Sequence, residues 1–218
     1  MYFSSRVEAG QLLAEQLATK YRFENSATIA LDDGGVMIGA QIAAHLHTSL
    51  SMLLADQINL PMETLAIGGI GQDGSFTYNS TLSHIEIEEY VSEYYGYLEQ
   101  EKLQKMHHMN ELLGSGGLIR KDMLRGHNVI LVSDGLMDPM SLDLAFAFLK
   151  PVRTTKVIVA TPVATVQAVD RMHVLADEIF CLNVIDSGLP KEHYYDQKDV
   201  PDHATIVKTL EEIILKWR

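Results

Sequence analysis

The sequence feature that most constrains the fold is the stretch at residues 129–144, VILVSDGLMDPMSLDL. It opens with four apolar residues after a turn-forming Gly-His-Asn triplet, which predicts a strand buried on both faces of a sheet. An acidic, glycine-containing loop follows, and Ser141 then opens an apolar helix at residues 142–149. A buried strand, a loop and a helix form half of a β–α–β unit. Ligands of open α/β sheets usually bind at this carboxyl end of a strand.

The rest of the chain repeats this alternation of buried strands and helices. Ser5 and Glu8 have the spacing of a capping box, which predicts a first helix running to about residue 20. Strands are predicted at residues 27–31, 50–55, 65–69, 156–160 and 178–184, a hairpin arm at 75–79, and helices at 36–47, 164–176 and 204–217. We therefore predict one α/β domain over residues 1–218, with a mainly parallel open sheet and helices on both faces.

Two segments are expected to add to this core. Residues 84–113 carry apolar side chains at helical spacing with glutamates between them, which predicts a long inserted helix. Residues 186–203 form a polar loop with two prolines, and we expect a small C-terminal cap there. The inserted helix carries a tyrosine cluster at Tyr90, Tyr94, Tyr95 and Tyr97. These tyrosines could line a ligand pocket, but we favour a subunit interface and predict a homodimer.

Composition limits the classes of molecule that this protein is expected to bind. The formal net charge of −12 argues against nucleic acid and anionic membranes, which both require a basic surface. No apolar run reaches about 18 residues, so no membrane span is expected. The single cysteine, Cys181, and the lack of a signal-like N-terminus predict a cytoplasmic protein. A small-molecule ligand is compatible with all of these features.

Residues 129–141 resemble the signature of type I phosphoribosyltransferases, which bind phosphoribosyl pyrophosphate. The family pattern is four apolar residues, two acidic residues, Gly, two variable residues, Thr, Gly, a small residue, and Thr or Ser. The apolar run and three later residues match this pattern: Asp134, Gly135 and Ser141. The chain departs from the pattern with Ser133 in place of the first acidic residue, Asp138 in place of the Thr and Pro139 in place of the second Gly.

The resemblance extends over nearly the whole chain, to a bacterial branch of the family with a helix before the first strand. Where that branch has Leu-Pro-Arg-Gly-Gly-Val, this chain has LDDGGV at residues 31–36. An Arg-Lys pair before a mobile loop is replaced by Asp56-Gln57, and residues 56–63 contain no Lys or Arg. Tyr194-Tyr195-Asp196 matches a Tyr-Asp pair in the last loop of that branch.

The resemblance implies transfer of a phosphoribosyl group from phosphoribosyl pyrophosphate to a nitrogenous base. It implies that Asp134 holds the ribose hydroxyls. It further implies that Gly135, Asp138 and Ser141 shape the phosphate loop and that Gly34 and Gly35 contact the pyrophosphate. It identifies no catalytic residue.

The departures from the family pattern oppose phosphate binding. Pro139 has no N–H to donate, and Asp33 and Asp138 carry negative charge. Two like charges about 4 Å apart repel by roughly 1 kcal/mol in water and about 4 kcal/mol near a protein surface. Two hypotheses therefore stay open. The chain is a weak or inactive phosphoribosyltransferase, or it is a catalytically silent member that acts as a ligand-binding or protein-interaction subunit.

The aspartates admit two interpretations. Asp32, Asp33 and Asp134 are expected at strand ends and could together hold Mg²⁺, which prefers carboxylates and water; no other cofactor is expected. For the loop at residues 32–35, the alternative is a helix N-terminus capped by Asp, where the helix dipole favours negative charge. Asp138 and Ser141 could likewise be ordinary helix-start residues beside Pro139.

Overall fold

The computed structural model describes residues 2–63, 65–113, 119–186, 188–202, 205, 206, 208 and 210, without the side chains of residues 112 and 113. The chain forms two compact units. The first consists of Met1–Leu53, Ile119–Asp138 and Val152–Arg218, and the second of Leu54–Leu118 and Pro139–Pro151. Two compact units can belong to one domain, so the single domain over residues 1–218 stays a prediction. Most of the helix predicted at residues 204–217 lies outside the described residues.

The elements alternate in type along most of the chain. In chain order they are α1 (Arg6–Tyr21), β1 (Ser26–Ala30), α2 (Asp33–Leu46), β2 (Ser49–Met52), β3 (Ala55–Asn59), β4 (Ala66–Gly71), β5 (Phe76–Tyr78), α3 (His84–Leu113), β6 (Asn128–Val132), α4 (Met140–Leu149), β7 (Lys156–Thr165), α5 (Val166–Leu175) and β8 (Glu178–Ile185). Short 3-10 helices cover Lys121–Leu124 and Lys191–Tyr194. The second of them lies in the predicted cap segment, which belongs to the first unit.

The first unit is built on a parallel sheet with the strand order β2-β1-β6-β7-β8. Strands β1 and β6 are buried along their whole length, as the apolar run at residues 129–132 predicted. Ala30 at the end of β1 pairs in register with Val132 at the end of β6. The loops that follow these two strands therefore leave the sheet side by side. The predicted α/β fold with a mainly parallel sheet is confirmed.

Helices α1 and α2 cover this sheet with their apolar stripes. Their shared core with the strands includes buried aliphatic side chains: Leu13, Leu17, Ile38, Ile42, Ile130, Val132 and Ile158. The predicted cap of α1 is present in part, because the Ser5 hydroxyl accepts from the Glu8 N–H at 3.2 Å. The Glu8 carboxylate accepts from the Ser4 N–H and hydroxyl, one residue before the position that a capping box uses.

The second unit contains the antiparallel sheet β3-β4-β5 together with α3 and α4. The long helix predicted at residues 84–113 is present as α3, with non-helical backbone angles at Tyr94. Three of its tyrosines, Tyr90, Tyr94 and Tyr97, pack against the cluster of Ile58, Leu60 and Ile67 in the same unit. The strand predicted at residues 50–55 is divided in the structure, since β2 ends at Met52 and residues 55–59 form β3, which pairs with β4. None of the helices in the described part of the chain combines the length and apolar character that crossing a membrane requires.

Glu178 provides a test of pH dependence in the first unit. Its carboxylate accepts from Lys156 Nζ at 2.8 Å and Lys20 Nζ at 2.9 Å, and these bonds lower the pKa of Glu178 to about 2. A lowered pKa stabilises the folded state above the ordinary value of 4.5, and the stabilisation is lost as pH falls toward 2. Glu178→Gln should therefore lower the free energy of unfolding above pH 4.5 and progressively less toward pH 2, measured by urea denaturation.

The two lysines supply the control. In the Lys20→Met/Lys156→Met variant, the effect of the Glu178→Gln substitution should vary much less over this pH range, because the two main causes of the lowered pKa are gone. A Glu178→Gln effect in the parent that is independent of pH would contradict the assignment.

Candidate functional site

The candidate site lies where β1 and β6 end. Leu31 N–H donates to the Val132 carbonyl at 2.8 Å, which holds the two following loops together. Asp32 and Asp134 stand on these loops, within the first unit. The site is therefore at the carboxyl edge of the parallel sheet, where the sequence predicted it.

Asp32 caps helix α2. Its Oδ1 accepts from the Gly35 N–H at 2.5 Å, and its Oδ2 accepts from the Ser133 hydroxyl at 2.7 Å. The Gly35 N–H is one of the unpaired donors of the helix start, so this bond is an ordinary N-cap. The capping interpretation of Asp32 is therefore confirmed, and Ser133 links the cap to the neighbouring loop.

Asp134 is the buried centre of the site, with only 1% of the residue exposed. Its Oδ2 accepts from Arg6 Nε at 2.7 Å and its Oδ1 from Lys191 Nζ at 2.5 Å. Burial raises the pKa of the Asp134 carboxyl to about 6, and the charge of Asp32 adds to the rise, whereas Lys191 and Arg6 oppose it. At neutral pH the group is thus a carboxylate held between two cations.

Lys191 bridges the two loops. Besides its bond to Asp134, its Nζ lies 3.1 Å from Asp32 Oδ2. Burial lowers the pKa of the Lys191 ammonium, but the charges of Asp32 and Asp134 outweigh burial and raise the pKa above its ordinary value. The lysine is therefore charged, and one ammonium group joins the ends of β1 and β6.

Arg6 completes what we call the ion network: Arg6, Asp32, Asp134, Lys191 and Asp199. The arginine is 2% exposed, although it lies in the first turn of α1. Its Nη1 donates to Asp199 Oδ1 at 2.8 Å, and its backbone N–H donates to Asp199 Oδ2 at 2.8 Å. The guanidinium also lies 4.3 Å from the centre of the Tyr195 ring. The buried guanidinium of Arg6 thus pairs with two carboxylates and stacks on the Tyr195 ring.

The two terminal segments of the chain hold this network in place. Phe3 N–H donates to the Tyr194 carbonyl, Asp196 N–H donates to the Phe3 carbonyl, and Gln197 N–H donates to the Ser4 carbonyl, all within 3.1 Å. The Tyr195 hydroxyl donates to the Asp134 carbonyl at 2.5 Å. Residues on both terminal segments therefore fix the position of Asp134.

Gly34 is required by close approach. A Cβ built on this residue would overlap the Asp134 carboxylate and come within 2.9 Å of Arg6 Nε. A Cβ on Gly35 would lie 2.7 Å from the Val132 carbonyl oxygen. The two glycines that the resemblance assigned to pyrophosphate therefore make room for the chain's own groups.

A cavity of about 480 Å³ opens beside the network. Its lining is strongly charged and contains these residues: Arg6, Asp32, Asp33, Gly34, Asp134, Lys191, Glu192, Gln197, Lys198 and Val200. The acidic side chains outnumber the basic ones. Such a lining can hold a small polar molecule, but it is poorly suited to a multiply charged anion.

The first unit brings together several of the predicted site residues. Gly34, Gly35 and the three aspartates of the proposed metal site share this region, and Gly135 is buried beside Lys191. Asp138 is exposed at the end of its loop. Ser141 belongs to the second unit. The sequence predicted that it would open the helix at residues 142–149. Helix α4 begins at Met140, one residue earlier, with Pro139 at its N-cap and no side-chain cap, so Ser141 is an ordinary residue of the first turn.

The carboxylates do not fit a magnesium site as they stand. Lys191 Nζ lies between Asp32 and Asp134, within hydrogen-bonding distance of both. Among the described residues, no three His, Cys, Asp or Glu side chains come together so as to hold a metal ion. The site of Asp32, Asp33 and Asp134 for Mg²⁺ stays a prediction, and no chemical step is assigned to a metal here.

Sequence reasoning missed the basic half of the site. Neither Arg6 nor Lys191 carried a local signal, and Asp199 lies in a polar loop. Tyr195 was marked by its match to the last loop of the resembling family, but that match suggested no role for its hydroxyl.

Comparison with known proteins finds similar sequences and similar structures. No family model matches the sequence. Two proteins of Mycobacterium tuberculosis, from strains H37Rv and CDC 1551 / Oshkosh, are provisionally named phosphoribosyl transferases and are 26% identical over 184 residues. The match covers 83% of this chain but only 40% of the length of those relatives. The fold is similar to that of a protein from Thermus thermophilus, TT1426, with a TM-score of 0.73 and 25% identity over 100% of this chain and 99% of that chain.

Proposed function

This chain is a phosphoribosyltransferase-like protein, and we propose that it transfers phosphoribosyl groups weakly or not at all. The observation that carries the proposal is the double engagement of Asp134 by Arg6 and Lys191. The resemblance gives this carboxylate the task of binding ribose hydroxyls. A buried carboxylate that is already paired with two cations gains little from exchanging them for neutral hydroxyls.

The chemistry of the transfer reaction supports the same proposal. A base nitrogen bonds to C1 of the ribose while the C1–O bond to pyrophosphate breaks, so negative charge develops on the leaving group. Stabilising that charge requires cationic groups or a metal ion. Of the cations that line the cavity, Arg6 and Lys191 already pair with the chain's own carboxylates. Asp33 adds negative charge where the resembling enzymes have arginine.

We propose that the site instead serves a ligand-binding subunit. The cavity of about 480 Å³ has the size of a small-molecule site, and its mixed charges favour a polar or zwitterionic ligand over a polyphosphate. The alternative function, an active phosphoribosyltransferase, would require the ion network to open before substrate binds.

Calorimetric titration with phosphoribosyl pyrophosphate and Mg²⁺ tests the proposal. We expect no binding in the micromolar range, because the phosphates would face Asp33 and the paired Asp134. Transfer to purine and pyrimidine bases should be undetectable in the same samples. Micromolar binding would falsify the silent-enzyme proposal and favour the active enzyme.

We also propose that Mg²⁺ binds weakly at most and that the chain is a cytoplasmic homodimer without nucleic-acid or membrane partners. Exposed apolar side chains on α3 support the dimer, since Ile85, Tyr95 and Leu103 are 77%, 64% and 71% exposed. Three tyrosines of the cluster first considered for this contact, Tyr90, Tyr94 and Tyr97, pack within the second unit. The contact is therefore proposed for the opposite face of α3.

Sedimentation velocity tests the dimer. Tyr95→Asp with Leu103→Asp should convert a dimeric parent to a monomer, because both charges would be placed in the apolar contact. Val174→Asp on α5, where the side chain is 73% exposed, is the matched control and should leave the mass unchanged. A monomeric parent, or a dimer that survives the double substitution, would exclude this interface.

A further inference from the structure

The ammonium of Lys191 lies where the sequence suggested a magnesium ion. We infer that Lys191 is a tethered cation that joins Asp32 and Asp134 in place of a metal. Removal of its ammonium group then creates a binding site for Mg²⁺ or Mn²⁺. This inference concerns the chain's own residues and does not require that phosphoribosyl pyrophosphate binds or fails to bind.

Distances make the ammonium and a metal ion mutually exclusive. Lys191 Nζ lies 2.5 Å from Asp134 Oδ1 and 3.1 Å from Asp32 Oδ2. A magnesium ion binds carboxylate oxygens at about 2.1 Å and needs near-octahedral space around it. An ion bound to these same two oxygens would overlap Nζ. The parent protein therefore has no room for the metal while Lys191 is in place.

Charge favours a divalent ion once Lys191 is gone. The network holds two cations, Arg6 and Lys191, against three carboxylates. Without the ammonium, Arg6 alone faces all three, and the buried Asp134 is 1% exposed. The network carries a net charge of −1 with Lys191 and −2 without it, and a divalent cation would bring the latter to zero. The adjoining cavity of about 480 Å³ leaves space for the water ligands that Mg²⁺ and Mn²⁺ retain.

The side chain of Lys191 is guided to this position by Gly135. A Cβ built on Gly135 would lie 2.7 Å from Lys191 Cβ and 3.4 Å from its Cδ, so the lysine stem passes over the bare glycine. The 3-10 helix Lys191–Tyr194 and the bond from the Tyr195 hydroxyl to the Asp134 carbonyl hold the backbone on either side. The ammonium is thus held in position before any ligand arrives, as a preorganised group must be.

Calorimetric titration with MnCl₂ tests the inference. Lys191→Ala should bind Mn²⁺ at least tenfold more tightly than the parent. The double variant Lys191→Ala/Asp32→Asn should lose that gain, because one of the two carboxylates is neutral. Lys198→Ala is the matched control, since Lys198 lines the same cavity without belonging to the ion network, and it should bind as the parent does.

A second variant keeps the inference testable if Lys191→Ala fails to fold. Lys191→Met keeps the stem over Gly135 and removes only the charge. Mn²⁺ should raise the unfolding temperature of both Lys191 variants but not that of the parent. Equal Mn²⁺ affinity in parent and variants, absence of a thermal shift in both variants, or a gain that survives Asp32→Asn would each overturn the inference. None of these outcomes depends on phosphoribosyl pyrophosphate.

Discussion

Replacing Arg6 by methionine is expected to lower the free energy of unfolding by about 3–5 kcal/mol, as is usual when one partner of a buried ion pair is removed. Arg6 is 2% exposed and donates both to Asp134 and to Asp199. Methionine keeps much of the apolar packing against the Tyr195 ring, so the loss reports the missing charge and hydrogen bonds. Urea denaturation at neutral pH measures the effect.

Two further variants locate the source of this loss. Arg6→Lys keeps the charge but cannot reach both carboxylates with a planar group, so its cost should be intermediate. Arg22→Met, at an exposed arginine just after α1, is the matched control and should change stability by no more than about 0.5 kcal/mol. An Arg6→Met cost close to that of Arg22→Met would show that the ion network does not stabilise the fold.

Gly34→Ala is expected to produce the second-largest effect, a loss of about 1–3 kcal/mol in the free energy of unfolding. The new methyl group would overlap the Asp134 carboxylate and contact Arg6 Nε. Neither group can withdraw easily, because Asp134 is bonded to Arg6 and Lys191. The substitution therefore disturbs the ion network without removing any charge from it.

Gly96→Ala is the matched control for Gly34→Ala. Gly96 is an exposed residue of α3, and a Cβ there would meet nothing within 4 Å. Alanine is the better helix former by about 1 kcal/mol, so this variant should be slightly more stable than the parent. The unfolding temperature and the free energy of unfolding should therefore fall for Gly34→Ala and rise slightly for Gly96→Ala. A Gly34→Ala variant as stable as the parent would mean that Asp134 can move freely.

The sheet and the place of the site were predictable because their signals are local. The apolar run before Asp134 and the Gly-Gly pair at residues 34–35 mark two strand ends, and adjacent parallel strands bring such ends together. The polar start of β3 carries no such local signal for a strand. The predicted strand ended at residue 55, yet Asp56 and Gln57 continue as β3, which antiparallel pairing with β4 stabilises. Tertiary pairing outweighed local preference at that position.

The partners of Asp134 were not predictable from local sequence. Arg6 and Asp134 are 128 positions apart, and Lys191 is 57 positions from Asp134. A side chain such as arginine is seldom fully buried, so a helix-start Arg6 is expected on the surface. Only the fold shows that its burial is made possible by two carboxylates and an aromatic ring. The resemblance predicted a ligand site at this place but gave no indication of the cations that lie there.

The joining of the two terminal segments has a consequence for the timing of biosynthesis. Arg6 and Asp199 are separated by 193 positions, and the bonds that close the ion network connect them directly. Ribosomes add about 5–20 residues per second, so Arg6 waits about 10–40 s before Asp199 exists. During that interval α1 can form and Arg6 can meet Asp134, but its second carboxylate partner does not yet exist. Chains that the ribosome releases before Asp199 therefore lack one of the two carboxylates that pair with the buried Arg6.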